Sequence, residues 1–381
     1  MILGIDASNL RTGGSVTHLC NVLATADPGN HSFSKIIVWG NQATLERLRD
    51  QDWLEKVHEP SLDRSLPHRL FWQRFRLPNR ALARCDILLS PGGNAPRGFA
   101  PLVAMSRNML PFEPRERRRF GFSWIGLRLL LLRFSQARTF RHAQGVIFLT
   151  RHARDVVCKI ARIRGQIVVV PHGVEERFRC VPRPQRMIAE CSRENPLRLI
   201  YVSIIDLYKH QWVVAEAVAS LRKAGMPIAV DFVGPAYSPA LRRLNAAIAQ
   251  FDPSAEFLRY RGPISFEEMH ALRDQADIFV FASSCENMPN ILLEGMASGF
   301  PIACARCGPM EEILGDAGIY FDPVDAVSIA EALRTLAEDD ELRVRCAEAA
   351  YTRAEEYSWE RCARETFEFL ERVARSSSSR D

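Results

Sequence analysis

Short apolar runs bounded by polar turns alternate along the chain with stretches whose apolar residues recur at helical spacing. Residues 1–6, 35–40, 87–90, 102–105, 145–149 and 166–170 read as buried strands, and the first passes through the Gly-rich turn Asn9-Leu-Arg-Thr-Gly-Gly-Ser15 into a helix over 16–26. A second series of apolar runs, 197–202, 228–233, 257–260, 278–281, 302–305 and 318–321, has helical stretches such as 212–224 and 328–337 between its members. Strands alternating with helices predict parallel sheets covered on both faces, so the fold class is α/β. The two series meet near residues 174–196, which gives a first domain over 1–175 and a second over 176–358. The last periodic stretch, 359–375, predicts a helix that packs back on the first domain, and the Ser-rich end 376–381 reads as a frayed tail.

Within the second series one segment stands out chemically: Phe279-Val-Phe-Ala-Ser-Ser-Cys-Glu-Asn-Met-Pro-Asn-Ile-Leu-Leu-Glu-Gly-Met-Ala-Ser-Gly299. An apolar run, a polar turn and a helix follow in order, which places a strand end against a helix N-terminus. Pro289 suits the first helical turn, where its missing N–H has no intrahelical role, and the free amides of Asn290 and Ile291 with the helix dipole favour an anion such as phosphate. Glu286 falls in the loop and Glu294 about one turn inside the helix, so one pocket can offer both carboxylates to hydroxyls. Sugar hydroxyls with a phosphate suggest a nucleotide-sugar. Taken alone, the two glutamates also read as a solvated helix start.

A length of 381 residues exceeds what one core usually serves, in keeping with two domains. Apolar residues at 47% and charged residues at 25% exclude a disordered or fibrous class. The net charge of +5 is modest and 45 acidic residues accompany the basic ones, so no nucleic-acid coat is expected. Ten cysteines scattered through apolar and helical surroundings read as reduced thiols of a cytoplasmic protein, and Cys304-Ala-Arg-Cys307 lacks the second pair or histidines of a metal site. The start shows no secretory signal, and no apolar stretch is long enough to span a bilayer.

Together these residues resemble family 4 of the retaining glycosyltransferases, whose GT-B architecture sets two facing Rossmann-like domains about a donor cleft. The likeness is carried by Glu286 to Glu294, by Gly295-Met-Ala-Ser-Gly-Phe-Pro-Ile302 and by Gly308-Pro-Met-Glu-Glu-Ile313. It implies that Glu286 faces the donor sugar hydroxyls and that Glu294 accepts from the ribose hydroxyls. The backbone of Met288, Pro289, Asn290 and Ile291 then lines the diphosphate and sugar, with only the non-proline amides donating. Lys209, in Tyr201-Val-Ser-Ile-Ile-Asp-Leu-Tyr-Lys-His210, stands where the family has a phosphate-binding lysine. A cation there meets the charge that gathers on the leaving diphosphate. Gly13 and Gly14 match the family's glycine-rich loop, which approaches the donor diphosphate or the acceptor, and Pro171-His-Gly-Val174 resembles its hinge.

Two departures follow from the same resemblance. Ile204 stands where the family often has Arg, so a further group must assist Lys209, with His210 or Arg306 as candidates. Ser106-Arg-Asn-Met-Leu-Pro-Phe112 stands where relatives carry a His-Asp pair, which puts Arg107 and Asn108 in the place of the first-domain catalytic partner. Both can hydrogen-bond a sugar, but Arg stays protonated at neutral pH and cannot act as a proton carrier. The family is thought to use the leaving phosphate itself as base, with the enzyme stabilising an oxocarbenium-like state by position and charge. No Asp-x-Asp motif stands at a strand end, so neither a donor-bound metal nor a cofactor is expected besides the nucleotide-sugar co-substrate.

The stretch 115–133 joins a basic cluster to aromatic residues and a dense apolar helix, a pattern that suits peripheral contact with the inner face of an anionic membrane. It reads equally as a buried helix with a solvated, charged start. On the membrane reading the acceptor is a glycan on a polyprenyl diphosphate or another lipid. The motifs look most like bacterial mannosyl- or rhamnosyl-type transferases of surface polysaccharide such as O-antigen lipopolysaccharide, with GDP-mannose as the expected donor. A non-catalytic nucleotide-sugar-binding subunit is the alternative of another class. A dinucleotide-dependent oxidoreductase is disfavoured because the first turn lacks Gly-x-Gly-x-x-Gly.

Overall fold

A computed structural model describes residues 1–378 other than Thr12, Pro96 and Arg97. It divides into two compact units. The first joins Met1–Pro114, Phe122–Gly173 and the terminal stretch from Tyr357; the second joins Arg115–Gly121 and Val174–Glu356.

The first unit holds strands β1 (Ile2–Asp6), β2 (Lys35–Gly40), β3 (Leu54–His58), β4 (Ile87–Ser90), β5 (Leu102–Ser106), β6 (Gly145–Phe148) and β7 (Gln166–Val169) in the order β3-β2-β1-β4-β5-β6-β7. The second holds β8 (Leu197–Val202), β9 (Ile228–Val233), β10 (Leu258–Gly262), β11 (Ile278–Phe281), β12 (Ile302–Ala305) and β13 (Gly318–Phe321) in the order β10-β9-β8-β11-β12-β13. All pairings are parallel, and the central strands are buried along their length because helices cover both faces. In each sheet the strand order reverses once, between β1 and β4 and between β8 and β11. Loops leaving the carboxyl ends of such a strand pair diverge to opposite faces, and the crevice between them is where open α/β sheets bind ligands.

The alternation of apolar runs misses β3. Its sequence, Leu-Glu-Lys-Val-His, is a half-exposed edge strand whose polar positions face solvent, and Glu55 there pairs with Lys35 and Arg84. β10 begins at Leu258 and runs to Gly262, two residues beyond the apolar stretch. The terminal helix spans Trp359–Ser378, so the Ser-rich end continues it through Ser378, and the remaining tail positions lie outside the described residues. Phe369 and Val373 of that helix lie against Gly145 of β6, where an added Cβ would come within 2.8 and 2.9 Å of them. Gly173, implied by the resemblance to be a hinge, ends one stretch of the first unit, and Val174 opens the second. A Cβ there would meet the backbone N of Trp359 at 2.2 Å, so a glycine lets two backbones touch.

Candidate active site

The order reversal of the second sheet gathers the loops after β8 and β11. Ser284 N donates to the Tyr208 carbonyl (2.8 Å), which fastens one loop to the other. Lys209 Nζ then forms an ion pair with Glu286 Oε1, and the same carboxylate oxygen accepts from Ser283 Oγ at 2.7 Å. The two side chains are 8% and 15% exposed, so the pair is shielded while keeping a face toward solvent. The ammonium lies 5.2 and 5.1 Å from the ring centroids of Tyr208 and Phe281, which favour a cation over their faces. An ammonium has three donors, and Glu286 takes one.

Pro289 is extended and caps the next helix, Asn290–Ala297, from outside its first turn. The Pro289 carbonyl accepts from Leu292 and Leu293, so the amides of Asn290 and Ile291 precede the first intrahelical bonds. Asn290 Oδ1 is buried without a protein partner, Met288 is buried and Ile291 half-buried. Glu294 follows one turn inside the helix. Burial pushes its carboxyl up to about 7, the nearby Glu175 carboxylate adds to the rise, and Arg177 opposes it. Glu294 therefore changes charge near neutrality. The structure brings Lys209 and Glu286 into contact; the charges that act on Glu294 are those of the 175–177 turn.

Residues 115–121, read above with the helix that follows, are part of this second unit. Glu116 is buried and accepts from Ser284 Oγ (2.7 Å), while Arg119 Nε donates to Glu116 Oε2 (2.7 Å). Phe120 packs against Tyr237 with centroids 6.4 Å apart. Since the one proton of Ser284 Oγ goes to Glu116, the hydroxyl accepts from His210 Nε2, 2.8 Å away, and His210 is the Nε2–H tautomer. Burial, together with the charges of Arg119 and Arg243, lowers His210 to about 3. His210 is thus neutral and does not supply the second cation for which the sequence made it a candidate. Arg306 is 64% exposed and lies 3.7 Å from Glu311. Arg119, one third exposed and paired with Glu116, adds its charge to the field on His210, and no feature of the sequence places it there. Glu116 and Ser284 stand 168 positions apart, and no local signal in the basic run links the two.

In the first unit the turn after β1 ends at Gly13, whose φ of +69° and ψ of −161° suit only glycine, and the helix Gly14–Ala24 begins there. Arg107 leaves β5 and donates to the carbonyls of Gly14 (2.6 Å) and Ser15 (3.3 Å), so two residues singled out by sequence are joined. Burial lowers its guanidinium to about 10. Asn108 Oδ1 accepts from Leu110 N (3.1 Å), a local turn. Behind them His18, His172 and Trp359 form a ring cluster with centroids 4.7 to 5.7 Å apart. Burial and the charge of Arg107 hold both imidazoles well below their usual range, and hence neutral.

Neither Cys304 nor Cys307 is in a disulfide, and Cys304 is buried within β12. Among the described residues no three His, Cys, Asp or Glu side chains are grouped so as to hold a metal ion, and no helix is long and apolar enough to cross a membrane.

Residues 185–353, inside the second unit, match the family model described as glycosyl transferases group 1. The chain is similar to sulfoquinovosyl transferase SQD2 of Arabidopsis thaliana, 27% identical over 63% of this chain and 46% of that protein. It is also similar to O-antigen chain mannosyltransferase B of Escherichia coli, 31% identical over 29% of each. The chain thus spans less than half the length of these two curated relatives. The structure of Anabaena HepE in complex with UDP and glucose superposes over the full length of both chains with a TM-score of 0.68 at 16% identity, a likeness of fold. The two parallel-sheet units are those of the GT-B fold.

Proposed function

We propose that the chain is a retaining, metal-independent glycosyltransferase that moves a hexose from a nucleotide-sugar to a glycan or lipid-linked glycan in cell-surface polysaccharide assembly. The observation that carries this reading is the shielded Lys209–Glu286 pair at the order reversal of the second sheet, next to the N-terminus of helix Asn290–Ala297. Lys209 and the amides of Asn290 and Ile291 receive the diphosphate, and Arg119 adds the cation that Ile204 cannot. Glu286, held by Ser283, accepts from sugar hydroxyls. Glu294 accepts from the ribose. As the glycosidic bond breaks, charge moves onto the diphosphate, where fixed donors stabilise the transition state more than the ground state. The leaving phosphate takes the proton of the incoming hydroxyl.

The match of residues 185–353 to glycosyl transferases group 1 supports the activity, and UDP in the HepE structure supports a nucleoside diphosphate at such a fold. The likeness to an O-antigen chain mannosyltransferase supports mannose as the sugar moved, for which GDP-mannose is our choice of donor. The test offers GDP-mannose, UDP-glucose and related donors to the purified chain and measures nucleoside diphosphate release and the anomer formed. Turnover with one donor and a retained anomer is expected. Tight donor binding with neither transfer nor hydrolysis would instead leave a non-catalytic binding subunit, a reading favoured by the internal engagement of Arg107 and Asn108.

A further inference from the structure

Two helices of the first unit expose apolar side chains that the fold does not use. Helix Leu66–Phe75 presents Leu70, Phe71 and Phe75 at 46, 57 and 59% exposure. Helix Trp124–His142 presents Trp124, Leu127, Leu131 and Phe134 at 48 to 73%, and their spacing of three, four and three residues puts them on one face. The helices are neighbours: Asn94 accepts from Gln73 of the first through its carbonyl (2.8 Å) and from Ser135 of the second through Oδ1 (2.8 Å). Asn94 thus ties together two helices that each expose apolar side chains to solvent, and such clustered exposure marks interaction sites.

The charge on that surface has one sign. Arg74, Arg128 and Arg138 are exposed on these helices, which carry neither Asp nor Glu. Although the chain has 45 acidic residues, none occurs from Arg64 to Cys85 or from Arg117 to Arg154. Aromatic and aliphatic side chains interleaved with arginines match an anionic bilayer, where rings enter the interface and guanidinium groups meet lipid phosphates. We infer that this face docks on an anionic lipid surface through both helices. The basic run 115–121, by contrast, is engaged within the second unit through Glu116, Arg119 and Phe120. The inference stands independently of the donor chemistry.

The test is cosedimentation of the full chain with vesicles of phosphatidylglycerol and phosphatidylcholine, or of phosphatidylcholine alone, with tryptophan emission recorded in parallel. The wild type should pellet with the anionic vesicles only, less so in high salt, and its emission should shift to the blue in a way that Trp124→Phe removes. Phe71→Ser with Phe134→Ser should lower partitioning at least tenfold, and Arg74→Gln with Arg128→Gln about 25-fold, at about fivefold per arginine. Exposed positions should leave the thermal midpoint unchanged, so loss of binding is not loss of fold. Three results overturn the inference: a wild type that stays in the supernatant, binding indifferent to both pairs, or self-association of the chain that both pairs abolish, which would make the face a contact between copies.

Discussion

Replacing Lys209 by Met separates two roles that the ion pair with Glu286 combines. If Lys209 stabilises the leaving diphosphate, its loss removes a fixed donor to developing charge, which costs about 2–4 kcal/mol of barrier, or about 30- to 1,000-fold in kcat. The same change leaves Glu286, 15% exposed, with Ser283 as its remaining partner in the pair. Breaking a fully buried pair costs about 3–5 kcal/mol of stability, and the solvent contact of this one places it at or below that range. Glu286→Gln keeps the Ser283 contact and removes the charge, so the double variant Lys209→Met, Glu286→Gln regains stability. Its affinity for nucleoside diphosphate should not return. Urea unfolding of the four proteins gives the first quantity, and calorimetric titration of GDP and UDP gives the second. Lys209→Met should weaken the bound nucleotide by about tenfold or more in both backgrounds, as expected for hydrogen bonds to charged groups. Glu286→Gln alone should abolish turnover while leaving nucleotide affinity unchanged or higher. Recovery of affinity in the double variant would show that Lys209 only neutralises Glu286, and the mechanism would be refuted.

Glu294 titrates at about 7 in the folded chain against 4.5 for an ordinary glutamate. The folded state therefore binds the extra proton between these values, and the stability it contributes is lost as pH rises from 4.5 to 7. Glu294→Gln should match the wild type near pH 4.5 and exceed it at pH 8 by up to about 3 kcal/mol in urea titrations; parallel curves would remove the shift. Arg119→Gln should weaken nucleoside diphosphate binding measurably by calorimetry, with the unfolding midpoint near that of the wild type, and unchanged affinity would exclude Arg119 as the second cation. Gly173→Ala forces a Cβ against the Trp359 backbone and should lower the unfolding free energy read from urea titrations by about 1–3 kcal/mol, and an unchanged value would refute the close-packing role of this glycine.

Most of the sheet framework was legible because buried parallel strands are written as short continuous apolar runs. Ile87–Ser90, Leu197–Val202 and Ile278–Phe281 coincide with such runs residue for residue. β3 was not, since an edge strand with Glu55 and Lys56 in its middle has no such run. The contact of Lys209 with Glu286 follows from strand order: both loops leave carboxyl ends at the reversal, which local pattern can suggest only through position after a strand. Arg119 and Glu116 were hidden for the opposite reason. Their segment is local to the first series in sequence and joins the second unit in space, and a run of arginines gives no direction. The neutral state of His210 was not legible because its charge depends on burial and on arginines far off in sequence, neither of which a sequence displays. Gly173 shows the same limit, since close backbone packing and hinge freedom both demand glycine.

A crystal structure of the chain soaked with GDP or UDP tests the central claim most directly. The account predicts the diphosphate within hydrogen-bond distance of Lys209 Nζ and of the Asn290 and Ile291 amides, with the ribose hydroxyls on Glu294. A nucleotide bound elsewhere, or a Lys209–Glu286 pair left untouched by a bound diphosphate, would contradict it.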